Sequence, residues 1–404
     1  MKRVKVIAFT LAFTFVLLAF TVQPVAAASR YDSLRSYMDS RYDAVRGGYS
    51  IPDEDLVRLD PTYGAITIMN KTGTLANRPP PIPITLVMNF VKLQQYLTGD
   101  EQEQPKYGGF SDYLLGPVTN GGNYRGLVLW QMLKSHSDVP GTGDYEINAT
   151  ANLLWINKTS TVSGGYAVSR DAIDAGAGPD LLSTAYALSS FKILNSMYPE
   201  ENAWDWLFNE TATREWIDSC REGDGYKLYP DAYLPSVTGT AAAIMAYYAL
   251  DSLSSIPDIG DVESWLLARQ VLSDGESEFA GGFEEGNGTG VSSLESTYFA
   301  LTALEVLTAL PSVNTTAAEA FILSCQTPEG SFANAPGFST GKLLYAGYAC
   351  EMLNMAGFDG ALNTLSSSVD PYSPGDTGFE WRLYIIVGIV LIAIVLAVLG
   401  VRAD

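Results

Sequence analysis

A glycine turn followed by an aromatic residue recurs six times along the 404-residue chain, and this periodicity constrains the fold more than any other feature. In each copy, a segment with helical periodicity precedes the turn, and a second one follows it after a polar loop. A period of about 50 to 60 residues predicts a protein built from repeated helix pairs. The copies lie at 46–50, 107–113, 163–169, 223–229, 280–285 and 328–334.

The two helices of each predicted pair differ in polarity. The second segments, such as 294–307 (LESTYFALTALEVL), are apolar or small on nearly every face, which is typical of helices buried all round. The first segments, such as 262–272 (VESWLLARQVL), are more amphipathic and carry charge. Six such pairs predict an all-α fold over residues 29–365: an (α/α)6 toroid whose inner and outer helix rings surround a central cavity.

Several helix starts have recognisable signals. Asp60-Pro61 predicts an N-cap followed by proline at the first helical position. Asp180 and Ser236, each preceded by proline, are predicted to cap the third and fourth inner helices. Ser292 and Glu295 have the spacing of a capping box at the start of the fifth.

Both ends of the chain carry apolar segments. Residues 1–28 have a basic start, an apolar stretch and a run of small residues, which predicts a cleaved secretory signal peptide, with an uncleaved anchor as the alternative. After a linker over 366–380, residues 381–401 favour a transmembrane helix over a buried core helix, because their uncharged run of about 19 residues matches one bilayer core. With a tail of only 402–404, these segments predict a single-pass type I protein of the cell membrane with an extracellular toroid.

The glycosylation sequences and the cysteines are consistent with an exported protein. Three cysteines are scattered along the chain, so they do not form a disulfide framework. A net charge of −21 argues against nucleic acid or an anionic membrane surface as a partner. Six N-x-Ser/Thr sequences predict glycosylation in an exported chain, at Asn70, Asn148, Asn157, Asn209, Asn287 and Asn314.

The repeat resembles the prenyltransferase and squalene-oxidase repeat. That family includes protein prenyltransferase β subunits, terpene cyclases and the thioester domains of complement-like proteins. Its Gln–acid–Gly–Gly–aromatic signature is clearest at Gln326 with residues 329–332 (EGSF), and Gln270 with residues 281–283 (GGF) is a lengthened version. The resemblance covers about residues 30 to 360 and implies the toroid fold, whereas the signature residues shape turns and say little about activity.

The zinc ligands that the resemblance implies are replaced here. Protein prenyltransferases hold zinc with an Asp-x-Cys on one inner helix and a His on the next, because thiolate and imidazole suit that metal. The matching positions carry Glu295, Thr297 and a residue near Tyr345, and the only histidine of the chain is His136. The sequence therefore predicts no zinc-dependent prenyl transfer and no cofactor.

The other chemistries of the family also lack their residues. A terpene cyclase of class II needs Asp-x-Asp-Asp, and the nearest pattern, residues 53–56 (DEDL), ends in leucine. The class I Asp-Asp-x-x-Asp pattern and the Cys-Gly-Glu-Gln thioester run are absent from the sequence.

The predicted cavity provides the remaining candidate site. The N-termini of six inner helices should create a weak positive field at one mouth, where Arg125 and Lys342 could help to hold an anion. Tyrosines on the inner helices either line the cavity for an apolar or glycan ligand or simply fill the core. The candidate cavity residues are Arg125, Tyr186, Tyr247, Glu295, Tyr298, Lys342, Tyr345 and Tyr348.

One loop is a candidate for a cation. Asp171, Asp174 and Asp180 could bind Ca²⁺ through their carboxylates, and solvated loop acids with a helix cap are the alternative. The sequence predicts no other metal site.

Two functions follow from these residues. The first is a surface-anchored, non-catalytic toroid that binds a lipid, a glycan or another surface protein. The alternative is a zinc-independent enzyme that acts on an isoprenoid, lipid or glycan substrate in the cavity. Only an analogy at the level of the fold supports this alternative.

Overall fold

A computed structural model describes residues 27–75, 82–99, 104–135, 146–272, 277–286 and 288–373. Residues 34–364 form one compact unit, and the described residues 27–33 and 365–373 belong to another. The described residues contain fourteen α-helices: α1 (Arg30–Arg41), α2 (Leu59–Lys71), α3 (Ile84–Gln94), α4 (Asn120–Lys134), α5 (Ala149–Lys158), α6 (Arg170–Asp174), α7 (Leu181–Met197), α8 (Glu210–Ser219), α9 (Val237–Ala249), α10 (Ile259–Leu267), α11 (Leu294–Val306), α12 (Thr315–Ser324), α13 (Leu343–Met352) and α14 (Ala361–Ser367).

Short antiparallel strands accompany the glycine turns. A three-stranded sheet joins β1 (Tyr42–Asp43), β2 (Gly48–Ser50) and β3 (Val57–Arg58) in that order. Two further pairs join β4 (Arg221–Glu222) to β5 (Gly225–Tyr226) and β6 (Phe283–Glu284) to β7 (Ser292–Ser293).

The six predicted helix pairs are present and form a closed ring. Within residues 34–364 the inner helices are α2, α4, α7, α9, α11 and α13. Each packs against the next, and α13 packs against α2. Two glycines make the last contact possible, since a Cβ on Gly64 would overlap the carbonyl of Leu343, and Gly347 lies directly against Gly64. The toroid prediction is confirmed.

The fourth residue of an inner helix recurs as the anchor of its own turn. The backbone N–H of the turn aromatic donates to this residue, at 2.9 Å from Phe283 to the Thr297 hydroxyl. Thr62, Thr184 and Thr240 accept the same bond from Tyr49, Tyr166 and Tyr226, and the Asn123 amide oxygen accepts it from Phe110. The sixth helix carries Ala346 there, which has no side-chain acceptor.

The first glycine of a turn contacts the outer helix of the next pair. Gly108 and Gly281 have positive φ (98° and 95°), and a Cβ on either would overlap the carbonyl oxygen of Ala151 or Ala317. Only glycine tolerates both the backbone angle and the close approach. The glutamine of the signature adds a second link, because the Gln270 amide bonds both the Gly281 carbonyl and the Asn314 backbone.

Some predicted caps are confirmed and others are displaced. The side chains of Asp180 and Ser236 accept from the N–H groups of Ser183 and Gly239, as predicted. The Asp60 prediction is wrong, because α2 starts at Leu59, two residues earlier than predicted, with Arg58 at the N-cap position. The Asp60 carboxylate is therefore free for a different contact.

The predicted capping box at Ser292 and Glu295 is also wrong. Ser293 is the N-cap of α11 and accepts from the Ser296 N–H, whereas the Ser292 hydroxyl donates to the Phe279 carbonyl. Pairing of β6 with β7 places Ser292 in a strand, so the helix starts one residue later than the spacing suggested.

Three predicted glycosylation sites share one structural role. Asn148, Asn209 and Asn314 are exposed N-caps of the outer helices α5, α8 and α12, and each amide oxygen accepts a backbone N–H. Asn70 is also exposed, whereas Asn157 is half-buried. Asn287 lies outside the described residues.

Residues near the two ends of the described chain bond to each other. Ser29 forms an antiparallel bridge with Val369, and the Ala28 N–H donates to the Ser373 hydroxyl. Cys220, Cys325 and Cys350 are buried and unpaired. No helix of the described residues is both long enough and apolar enough to cross a bilayer. The predicted signal peptide, except for its last two residues, and the predicted membrane helix at 381–401 lie outside those residues.

Candidate functional site

All six inner helices contribute side chains to a cavity of about 540 Å³, a volume that includes space open to solvent. Its walls are mainly aromatic and aliphatic, with few polar atoms. The described residues that line it are Tyr63, Tyr124, Arg125, Leu182, Ala185, Tyr186, Ser189, Ala242, Met245, Tyr298, Phe299, Thr302 and Tyr348.

Five of the lining residues, Tyr63, Tyr124, Tyr186, Tyr298 and Tyr348, are tyrosines at similar positions along their helices, and we call them the tyrosine belt. Tyr63, Tyr124 and Tyr298 are the fifth residues of their helices, and Tyr186 and Tyr348 are sixth residues. These tyrosines lie one or two residues after the recurring fourth residue, and each step along a helix rotates the side-chain direction by about 100°. The fourth residue therefore contacts its own turn while its successors face the centre of the ring.

The rings of four of these tyrosines pack against each other in pairs. The rings of Tyr298 and Tyr348 stack with centroids 3.9 Å apart, and those of Tyr124 and Tyr186 stack at 5.1 Å. Burial raises the pKa of Tyr63, Tyr298 and Tyr348 well above the ordinary value, so these phenols stay neutral.

Arg125 is held at the cavity by Asp60. Its Nε donates to Asp60 Oδ1 at 2.6 Å and its Nη2 donates to Oδ2 at 3.2 Å, a two-point contact between α4 and α2. The Arg125 side chain is only 16% exposed and that of Asp60 is 31% exposed. Removal from water strengthens such a pair and also makes either charge costly to leave alone.

A second polar group lies toward the C-terminal ends of the inner helices. The hydroxyl of Tyr298 donates to Glu351 Oε2 at 3.2 Å, and Lys71 Nζ lies 3.8 Å from Glu351 Oε1. Burial raises the pKa of Glu351, while Lys71 and the Tyr298 hydrogen bond oppose that rise. Glu351 itself does not line the cavity.

Several N-terminal N–H groups of the inner helices are already bonded to the loop of the next pair. The N–H groups of Leu59 and Asp60 donate to the backbone and carboxylate oxygens of Asp112. Glu285 receives the corresponding bonds at the start of α9, and Asn334 receives them at the start of α11. These carboxylate and amide caps weaken the positive field that the sequence predicts at this mouth.

The structure brings four of the eight predicted cavity residues together: Arg125, Tyr186, Tyr298 and Tyr348 line the cavity. Tyr247 does not, because its hydroxyl donates to Asp218 Oδ1 at 2.6 Å on the outer helix α8. Glu295 and Tyr345 lie in the first turns of α11 and α13, and Lys342 is the N-cap residue of α13; all three are outside the cavity lining.

The residues at the family's zinc positions do not fit zinc. Thr297 is fully buried, accepts the Phe283 N–H and donates to the Ser293 carbonyl, so its oxygen serves the recurring turn. Burial and the nearby Glu285 raise the pKa of Glu295, which makes that carboxylate a weaker ligand. A hydroxyl, a carboxyl of raised pKa and a phenol are a poor donor set for that metal.

The predicted Ca²⁺ site is not formed. The Asp180 carboxylate caps α7, and Asp174 forms a salt bridge with Arg170, at 2.8 Å to Nη2. Among the described residues, no three His, Cys, Asp or Glu side chains are grouped closely enough to hold a metal ion.

Sequence reasoning missed Asp60, Tyr63 and Thr302. The register of the inner helices could have revealed Tyr63, since aligning these helices on their recurring fourth residue places Tyr63 at the same position as Tyr124 and Tyr298. This alignment does not identify Asp60 as the partner of Arg125, because the sequence around Asp60 predicts a helix cap.

Comparison with known proteins supports the fold. Residues 179–367 match the family model described as the prenyltransferase alpha-alpha toroid domain. A comparison with curated proteins found no matching sequence.

Two solved structures illustrate the similarity. Protein geranylgeranyltransferase-I from Candida albicans, complexed with GGPP, is 14% identical with a TM-score of 0.56, over 78% of this chain and 87% of that one. The type II terpene cyclase MstE from Scytonema is 14% identical with a TM-score of 0.50, over 82% of this chain and 97% of that one. Identities this low establish a common fold and leave activity to be argued from the site.

Proposed function

We propose that the protein is a ligand-binding toroid, because residues 179–367 match the family model of the prenyltransferase alpha-alpha toroid domain and the six inner helices enclose a cavity. The cavity takes a small amphipathic molecule and performs no chemistry on it. The observation that carries this proposal is the tyrosine belt of Tyr63, Tyr124, Tyr186, Tyr298 and Tyr348. Aromatic walls with a few polar groups are typical of sites that bury an apolar ligand and orient its polar end.

The absence of cavity carboxylates favours binding over catalysis. None of the described lining residues is Asp or Glu. General acid–base cleavage of a glycan usually needs two carboxyl groups, one on each side of the scissile bond. Asp60 is bonded to Arg125, and Glu351 is separated from the cavity by the Tyr298 hydroxyl.

Ligand binding can be tested with a matched pair of tyrosine variants. Tyr348→Leu removes a ring that stacks on Tyr298, while Tyr233→Leu removes a ring that is 90% exposed on a loop. Isothermal titration of both variants and the parent chain with geraniol, an uncharged probe with an apolar body, should show weaker binding only for Tyr348→Leu. Equal binding by all three would contradict the cavity as the site.

One observation favours the enzyme alternative. Burial raises the pKa of Glu351, and the Tyr298 hydroxyl connects this carboxyl group to the cavity, an arrangement that a general acid would need. Incubation of the chain with geraniol, followed by mass spectrometry of the recovered probe, checks this directly. Recovery of the unchanged probe supports the binding protein, and a product lost in Glu351→Gln would support the enzyme.

We also propose that the toroid is exported and held at a cell surface. Support comes from the apolar segments at 1–28 and 381–401 and from the exposed sequon residues Asn148, Asn209 and Asn314. Peptide mapping of chain recovered from surface-labelled cells would test both parts. Chain found only inside cells, with these asparagines unmodified, would overturn the proposal.

A further inference from the structure

We infer that Asp60 makes the cavity select against anionic head groups by occupying the guanidinium group of Arg125. The inference deepens the proposed ligand-binding function and names the ligand class: amphipathic molecules with an uncharged polar end.

The geometry of the pair carries the inference. Asp60 accepts from Nε and Nη2 of Arg125, at 2.6 and 3.2 Å, through both of its carboxylate oxygens. The same two-pronged contact is what an arginine offers to a phosphate group. A phosphate that makes this same two-pronged contact with Nε and Nη2 would have to displace a carboxylate that is already in place, and would leave that carboxylate unpaired.

The described lining provides no second cation for a phosphate. Arg125 is the only charged residue among the described residues that line the cavity. Lys71, at the C-terminal end of α2, lies 3.8 Å from Glu351. At the N-terminal ends of the inner helices, Asp112 and Glu285 place carboxylates on the N–H groups that would otherwise attract an anion.

The remaining polar groups suit a neutral head. The hydroxyl groups of Tyr63, Tyr124 and Tyr348 make no hydrogen bond within the described part of the chain, and Thr302 Oγ1 is buried there without a partner. Phenols donate readily to a hydroxyl or carbonyl oxygen, and the threonine can donate or accept. An alcohol, ketone or amide at the end of an apolar body would satisfy them without removing Asp60.

The test removes the charge of Asp60 and measures, by isothermal titration, the affinity for three probes: geraniol, geranyl diphosphate and inorganic pyrophosphate. The parent chain should bind geraniol and bind geranyl diphosphate no better. Asp60→Asn should gain about 10-fold to 100-fold in affinity for geranyl diphosphate, because Arg125 becomes available for a charge-assisted contact. Its affinity for geraniol should change by less than about threefold.

Two further variants serve as controls. Asp231→Asn removes the same charge from an exposed loop and should leave all three affinities unchanged. The double variant Asp60→Asn/Arg125→Gln removes both charges and should lose the gain for geranyl diphosphate. This variant contains no unpaired cavity charge, so it also shows whether the toroid folds when the pair is absent.

The probes separate the two proposals. Pyrophosphate has no apolar body, so its stronger binding to Asp60→Asn supports the charge inference even if geraniol binds nowhere and the proposed function fails. A parent chain that prefers geranyl diphosphate to geraniol overturns the inference. The same holds if the folded Asp60→Asn chain gains no affinity for either phosphate probe.

Discussion

The fourth residue of each inner helix and the two that follow it are neighbours in sequence, yet they have different roles. The fourth is threonine in α2, α7, α9 and α11 and asparagine in α4, and it anchors the turn of its own helix pair. The fifth and sixth differ from helix to helix, from Ala241 and Ala242 in α9 to Tyr124 and Arg125 in α4. In a repeat protein, residues that recur hold the module together, whereas residues that vary are free to make a particular site.

This comparison clarifies the role of Thr297. The resemblance to zinc enzymes made it look like a lost metal ligand, but the other pairs show that it has the recurring structural role. Tyr298, its neighbour, faces the cavity, whereas the fifth residue of α7, α9 and α13 is alanine or glycine.

The largest effect should come from the recurring glycine. Gly281→Ala places a methyl group on the carbonyl of Ala317 and forces alanine to φ 95°, so we expect a loss of about 3 kcal/mol or more in the free energy of unfolding. Gly260→Ala, in α10 with open space around it, should be neutral or stabilising by up to about 1 kcal/mol. Urea denaturation of both variants measures the difference, and equal midpoints would refute the close contact.

A smaller effect should separate two threonines of the same helix. Thr297→Val leaves the buried Phe283 N–H without its acceptor and should cost about 1–3 kcal/mol. Thr302→Val removes a hydroxyl that has no partner in the described structure, so stability should change by less than about 0.5 kcal/mol. The comparison fails if Thr302→Val is the more destabilising change in the same denaturation experiment.

The outer helices provide a third test. Asn148→Ala removes the cap of α5 and should cost about 1 kcal/mol, whereas Asn148→Asp keeps an acceptor and should cost little. Thermal unfolding of non-glycosylated chain measures this without a contribution from a glycan. Equal losses in both variants would mean that the cap oxygen contributes nothing.

The smallest effect should come from Glu351, the partly buried carboxyl group near the cavity. The pKa of Glu351 is raised above its ordinary value of 4.5, chiefly by burial, and is also affected by Lys71, Tyr298 and Glu305. The folded state therefore holds this proton more tightly, so its stabilising contribution is complete below the ordinary pKa and is lost as pH rises through the folded-state pKa.

Glu351→Gln should reduce this fall in the free energy of unfolding, by less than about 1 kcal/mol. Denaturation between about pH 4 and pH 7 measures it, with the exposed Glu329→Gln as the matched control. Asp180 and Glu295, whose pKa values burial also raises, retain their share of the pH dependence. An unchanged pH profile in Glu351→Gln would mean that burial of Glu351 has little effect on stability.

The sequence by itself determined the six helix pairs, the inner and outer rings and the caps at Asp180 and Ser236. These features repeat or depend on residues a few positions apart, so their signals are local and mutually supporting. Local patterns were misleading at Asp60 and Ser292, where contacts from a distant turn or strand shifted the helix start.

Only the tertiary structure decided which residues share the cavity and what charge it presents. Arg125 and Asp60 are separated by 65 positions, and nothing in their local sequence marks them as partners. Closure of the ring brings α2 beside α4 on one side and α13 on the other, which places Tyr63 and Tyr348 in the same cavity. The charge of that cavity follows from which side chains meet across the ring, and such long-range pairing is not encoded in any single repeat.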